Sequence, residues 1–409
     1  MRVSRPSYAC LLAAFFVLVL LRPESPAAAV GPGWAGQVQA LVGNGAAMVV
    51  DADGRPILAI HPDRPLVPAS ILKIATVFAA LETLGPTYRF STEFYTEPGQ
   101  DLYVVGRGDP YLVSEELAYI ADQLRAAGLT SVQDLCLDAG FFSPGLELNG
   151  TVHSLNPYDA YNGALCVNFN TIFVRIDPEG RVASAEPQTP LTDLTRRLAR
   201  KSGLSGEVRL NLADSPDTAL LQAGDLIRVF LTQAGIQVTG RVRPAAVDRT
   251  QATLLYHHRS RQDLAWLSRQ LLKYSNNFMT NQVFLTMGAE RFGPPADAAK
   301  ARRAVADALE SAGLPRLYLE EGSGLSRRTR LTASQMAAVL HHFRPYHLLL
   351  GSENGAWYKT GTMSDVQSMA GYFSGKDGRL FAFVIMLEGP GARPGVRRRI
   401  LDLLKENLG

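Results

Sequence analysis

The sequence predicts an α/β fold of the α+β kind, one domain interrupted by an inserted αβ module. Three observations predict it. A β-hairpin pattern near the start leads into a helix that is apolar almost all round. From Phe90 the character changes to strands alternating with an amphipathic helix, as a separate module would. The chain then closes with several helices, a second hairpin and a final helix. With 409 residues, of which 46% are hydrophobic and 19% charged, it can bury a sizeable core.

Residues 1–29 read as an export leader. Arg2 and Arg5 precede an apolar run from Ala9 to Leu21, too short to span a bilayer comfortably. Ala27, Ala28 and Ala29 supply small residues for cleavage before Val30, with an uncleaved anchor as the alternative. Cys10 lies at the start of the apolar run, not after it, and is misplaced for a lipoprotein site. The mature chain is therefore expected to be exported, periplasmic or otherwise extracytoplasmic.

The hairpin comprises a strand from Ala46 to Val50, a turn over 51–54 and a strand from Pro56 to His61. The apolar helix runs from Ser70 and is stopped by Gly85-Pro86. "DLYVVGRGDPYL" reads as a strand ending in a glycine-rich turn. The helix after it takes Ser114 as N-cap, with Glu115 and Glu116 where the dipole favours them. "QDLCLDAGFF" is another strand and "TIFVRIDPEGRV" another hairpin; from Arg181 to Ala213 the pattern is weak. Helix and strand return over 217–243, helices follow, and two adjacent strands joined at Lys376-Asp377-Gly378 precede the terminal helix. The expected division is 30–88 with 253–409 as one domain. Residues 89–252 form the insert, with a reduced third subdomain near 172–240.

A net charge of +3 without a Lys/Arg block excludes a nucleic-acid arm. The terminal "RRRILDLLKENL" reads as a helix packed on the sheet, with membrane contact at most peripheral. Removing the leader leaves Cys136 and Cys166, which in an oxidising compartment form either one disulfide or two buried thiols. The pairs His257-His258 and His341-His342 read as surface or helix-end residues, so no metal site and no cofactor are expected.

Chemistry is concentrated around few lysines. The chain has 34 Arg and only 7 Lys, and Arg cannot accept a proton in a protein whereas a desolvated Lys can. Lys73 lies among Ile71, Leu72, Ile74 and Val77, where a bare ammonium must be paired or give up its proton. Ser70 and Lys73, at i and i+3, share one helix face at the N-terminal end, where free N–H groups stabilise negative charge. A nucleophilic serine needs such an amine beside it; a capping serine with a snorkelling lysine is the other reading.

Two further motifs favour the nucleophile. "WYKTGTM" places Lys359, Thr360 and Gly361 on a strand, where Lys and Thr can bind a carboxylate and the Thr362 N–H can assist an oxyanion. Ser-x-Asn occurs at Ser154, Ser275 and Ser352. The first is in a polar loop and the last lies too close to Lys359 to form an opposite wall. Ser275-Asn276-Asn277, between two helical runs, is the one expected in the site.

The ordered trio is the signature of β-lactamases and penicillin-binding proteins. "GRGDPYLVSEELAYIADQLRAAGL", "EGSGLSRRTRLTASQMAAVL" and "KTGTMSDVQSMAGYFSGKDGRLFAFVIML" further resemble the S13 peptidases, the penicillin-binding-protein-4-like D-alanyl-D-alanine carboxypeptidases. The resemblance runs from about Gly45 to Leu404. It implies a transpeptidase-like domain with its insert between the first two motifs. It implies a serine DD-peptidase, carboxypeptidase or endopeptidase, acting on peptidoglycan stem peptides and inhibited covalently by β-lactams. Ser70 would be acylated with Lys73 as base, Ser275 would relay protons and Asn277 would bind the substrate amide. Lys359 and Thr360 would hold the terminal carboxylate, and the N–H groups of Ser70 and Thr362 would form the oxyanion hole. The family's usual middle Asp is here Asn276, expected to point away from substrate. Asp159 corresponds only loosely to a substrate-contacting acid of the insert, and a solvated loop carboxylate is the favoured reading. A β-lactamase or esterase on the same fold, or a non-catalytic wall-binding protein, are the alternatives. No deacylating Glu-x-x-x-Asn element is evident.

Overall fold

A computed structural model describes residues 33–409 except 98, 153, 212 and 377, so the expected leader lies outside the described residues. A six-stranded antiparallel sheet carries the site. Its order is Gly351–Glu353, Ala356–Met363, Val366–Ser374, Leu380–Glu388, Ala46–Val50 and Pro56–Ile60. The first hairpin forms as the alternation predicts. Asp51 closes its turn by accepting from the N–H groups of Asp53 (2.9 Å) and Arg55 (2.8 Å).

Both faces of this sheet are covered, which explains its nearly unbroken apolar strands. Along Leu380–Glu388, Ala382, Val384 and Met386 face a helical layer. Phe383, Ile385 and Leu387 face the two terminal helices, Trp34–Val42 and Val396–Leu408. The terminal helix buries Ile400, Leu401 and Leu404. The helical layer comprises Leu72–Leu84, Leu264–Tyr274, Asn277–Phe292, Ala298–Ser311 and Ala333–Phe343.

The middle of the chain forms other sheets. A mixed five-stranded sheet runs in the order Val242–Pro244, Leu135–Asp138, Leu102–Gly106, Ser91–Thr96, Thr253–Arg259. The helices Ser114–Ala126 and Pro216–Gln233 share its core. Thr253–Arg259 pairs antiparallel with Ser91–Thr96 at the edge of this sheet. The weakly patterned stretch contributes to a three-stranded sheet, Val182–Ser184, Ile172–Ile176 and Gly206–Leu210, with the helix Asp193–Lys201. Val174, Ile176, Val182, Ala199 and Leu210 are its buried core, too few to mark the sequence strongly.

Three local expectations are corrected, and the open alternative at the two cysteines is resolved. Ser114 is not the cap: Val113 holds that position, and Asn168 Oδ1 accepts from the Ser114 N–H (2.9 Å). The Ser114 hydroxyl instead meets Thr189 Oγ1 (2.9 Å). His258 is buried on its strand, with Nε2 3.2 Å from Glu116 Oε2, because side chains alternate between the faces of that strand. Cys136 and Cys166 are two free, buried thiols in different clusters, so the disulfide does not form. Burial pushes their thiols up, to about 11 and about 12. Asp159 is buried, accepting from the Ser154 hydroxyl and from the Val152 N–H (3.3 Å).

Candidate active site

The Ser70 helix begins with a 3-10 turn, Ala69–Ile71, before Leu72–Leu84. Ala69 adopts φ 49°, a left-handed conformation rare for a residue with a Cβ. Its carbonyl packs where a Cβ on Gly324 would stand, and Gly324 itself has φ +81°. Two close approaches thus hold Ser70 in place. The second is Gly361: a Cβ there would lie 2.8 Å from Ser70 N and 2.9 Å from Ala69 Cβ, and would also strike Ser368 Oγ. Only glycine lets the Lys359-Thr360-Gly361 strand approach the start of the helix this closely.

Lys73 is fully buried, and its Nζ reaches three oxygens: Ser70 Oγ (3.0 Å), Asn277 Oδ1 (2.7 Å) and Ser323 O (2.7 Å). The two carbonyl oxygens can only accept. A neutral amine therefore directs its two hydrogens to Asn277 and Ser323, and its lone pair faces the Ser70 hydroxyl. Burial lowers the Lys73 pKa to about 7; the Glu321 carboxylate opposes that fall and the Lys359 ammonium adds to it. Lys359 is also mostly buried and lowered to about 8, by burial and by the nearby Arg397. Its Nζ donates to Thr360 O (2.8 Å).

Ser275 ends the helix Leu264–Tyr274 in the left-handed conformation (φ 54°, ψ 37°), which turns the chain sharply into Asn277–Phe292. Asn276 caps the second helix, its Oδ1 accepting from Met279 N (2.9 Å), so its side chain is occupied away from Lys73. Asp serves equally as a cap, which makes the departure from the usual family residue conservative here. Among the described residues the Ser275 hydroxyl makes no hydrogen bond to Ser70 or Lys73. Of the expected residues, Ser70, Lys73 and Asn277 are joined directly, and Gly361 abuts them. Lys359 and Thr360 line one wall of an adjoining cleft of about 570 Å³, together with Arg269 and Lys273. A more apolar cavity of about 400 Å³, lined by Phe142, Tyr161 and Cys166, includes none of these motif residues.

Sequence reasoning missed Glu321. This carboxylate is completely buried and accepts from Ser323 N (2.7 Å), Ser323 Oγ (2.6 Å), Gly324 N (2.8 Å), Ser326 N (3.2 Å) and Asn281 Nδ2 (3.1 Å). It folds the loop that presents Ser323 O to Lys73. The available signal was an acidic residue directly before Gly-Ser-Gly, where short residues leave N–H groups to be collected. The "NPYDAYN" loop is tied to the same region, with Asn162 Nδ2 donating to Phe278 O (3.0 Å) and Gln282 Oε1 (2.9 Å).

This fold is that of the penicillin-binding proteins. Penicillin-binding protein 4 (DacB) of Haemophilus influenzae superposes with a TM-score of 0.75 at 20% identity, covering 91% of this chain and 98% of that one. A penicillin-G-acylated predatory endopeptidase of Bdellovibrio bacteriovorus superposes with a TM-score of 0.50 at 14% identity, over 88% and 90% of the two chains. Residues 35–347 match the D-Ala-D-Ala carboxypeptidase 3 (S13) family, and the chain belongs to it. The D-alanyl-D-alanine carboxypeptidase of Actinomadura sp. is 28% identical over 85% of this chain and 78% of its own length. The protein is a serine-type carboxypeptidase, a hydrolase.

Proposed function

We propose that the protein is an exported DD-peptidase that cleaves D-alanyl bonds of peptidoglycan stem peptides through an acyl-enzyme on Ser70. The observation that carries this reading is the 3.0 Å hydrogen bond between Lys73 Nζ and Ser70 Oγ, inside a site that fully buries the lysine. Neutral Lys73 takes the hydroxyl proton as Ser70 Oγ attacks the carbonyl carbon of the penultimate D-alanine. The oxyanion meets the N–H groups of Ser70 and Thr362. Collapse expels the amine of the terminal residue, which receives a proton by way of Ser275 and Lys73. Water then cleaves the ester and restores the hydroxyl. Asn277 orients both the lysine and the substrate amide, while Lys359 and Thr360 hold the terminal carboxylate.

The same geometry accepts a β-lactam, whose strained amide acylates Ser70; the acylated Bdellovibrio relative supports that expectation. Export rests on the leader pattern of residues 1–29. The catalytic domain comprises the six-stranded sheet with its helices, and the intervening sheets form the insert. The terminal helix packs its apolar side on the sheet, leaving at most a peripheral membrane contact. The test is release of D-alanine from an acyl-D-Ala-D-Ala peptide. Wild type should release it and Ser70→Ala should not. Equal release by both would overturn the assignment.

A further inference from the structure

The helix Val396–Leu408 does more than close the sheet. From its first turn Arg397 reaches over the strand Ala356–Met363. Its Nη1 donates to Gly361 O (2.6 Å), Thr362 Oγ1 (3.1 Å) and Ser368 O (3.1 Å). Among the described residues no carboxylate pairs with Arg397, although its neighbour Arg398 pairs with Glu353 (2.8 Å) and Asp402 (3.4 Å). Lys359 likewise has no carboxylate partner among the described residues; its ammonium donates to Thr360 O. Two partly buried cations thus stand at one short strand without a fixed counter-ion. Such a pair is costly unless an anion joins it.

The hydrogen bond at Thr362 has a direction. Arg397 can only donate, so Thr362 Oγ1 accepts and its own proton is left for another acceptor. Thr362 is exposed, and two residues before it Thr360 lines the cleft beside Lys359. A carboxylate lying along this strand would meet a hydroxyl already turned to donate, with a positive charge behind it.

We infer that Arg397 is a positioning residue for substrate specificity: it orients the Thr362 hydroxyl and supplies, beside Lys359, a second positive charge that selects peptides ending in a free carboxylate. This rests on the reading of the Ser70 site as a DD-peptidase. An Arg that served only to pin the helix to the sheet would affect all substrates alike.

The experiment compares kcat/KM for two matched acyl-D-Ala-D-Ala peptides, one with a free C-terminal carboxylate and one amidated. Wild type should prefer the free acid. Arg397→Ala should lower kcat/KM for the acid by roughly tenfold to a hundredfold, the range for losing a charge-assisted interaction, chiefly through KM. The amide should change little. Arg397→Lys, which keeps the charge, should retain part of the preference. Thr362→Val, which leaves the helix contact to the backbone carbonyls intact, should lose it even where Arg397→Ala folds poorly. An equal fall for both peptides, or an undiminished preference in Arg397→Ala and Thr362→Val, overturns the inference while leaving the DD-peptidase reading intact. A wild type that cleaves neither peptide overturns both.

Discussion

Replacing Glu321 by Gln removes one buried negative charge and one set of hydrogen-bond acceptors from beneath Lys73. The carboxylate is surrounded only by donors: Gly324 N and Ser326 N at Oε1, and Asn281 Nδ2, Ser323 N and Ser323 Oγ at Oε2. An amide nitrogen placed on the less crowded side faces two backbone N–H groups. Leaving two buried donors unpaired costs roughly 2–6 kcal/mol. The variant should therefore melt earlier, and its plateau rate should fall as Ser323 O shifts from Lys73. The pH dependence isolates the charge. Glu321 raises the Lys73 pKa, so its loss lowers that pKa further below about 7. At an effective dielectric near 20, losing a nearby unit charge moves a pKa by about one to two units. With the neutral amine as the proposed base, the acid limb of the rate of acylation by benzylpenicillin should move to lower pH. Glu321→Asp, which keeps the charge, should leave the limb near its wild-type place. A Glu321→Gln limb that stays fixed or moves upward would mean that the Glu321 charge does not hold the Lys73 pKa up.

Other consequences follow from the same geometry. Gly361→Ala should lose most activity and about 1–3 kcal/mol of stability, read by D-alanine release and thermal melting, because its methyl would crowd Ser70 N, Ala69 Cβ and Ser368 Oγ. Asn276→Asp should behave as wild type, whereas Asn276→Ala should cost about 1 kcal/mol from the lost cap and slow acylation by misplacing its neighbours. Lys73→Met should abolish acylation and remove a rise of stability with pH. Since Lys73 titrates near 7 when folded and 10.5 otherwise, the unfolded chain binds the extra proton between those values. Chemical denaturation should then show wild type gaining on Lys73→Met by about 1.4 kcal/mol for each pH unit between them. A reductant should leave the melting temperature unchanged, because Cys136 and Cys166 are unbridged.

Much of the site was legible because its residues contradict their surroundings. Lys73 is a cation in an apolar run, and Gly361 interrupts a strand rich in larger residues. The first hairpin was legible for the same local reasons, alternation and an aspartate turn. What stayed hidden depends on contacts between distant segments. Glu321 matters because its loop folds under a helix far earlier in the chain, and Arg397 is one of 34 arginines until the terminal helix lays it over Gly361. Asn277 was expected at the substrate, but it also accepts directly from Lys73. Ser114 looked like a cap because local sequence cannot reveal that Asn168 supplies the acceptor. The pairing of Thr253–Arg259 with Ser91–Thr96 was equally hidden, because pairing partners are not written in a strand's own pattern.

The central claim is that Lys73 makes Ser70 nucleophilic. Its most direct test is the intact mass of the purified protein after exposure to benzylpenicillin, for wild type, Ser70→Ala and Lys73→Met. Wild type should carry a single stable adduct, located to Ser70, and neither variant should carry one. An adduct that persists in Ser70→Ala, or forms at an undiminished rate in Lys73→Met, would contradict the claim.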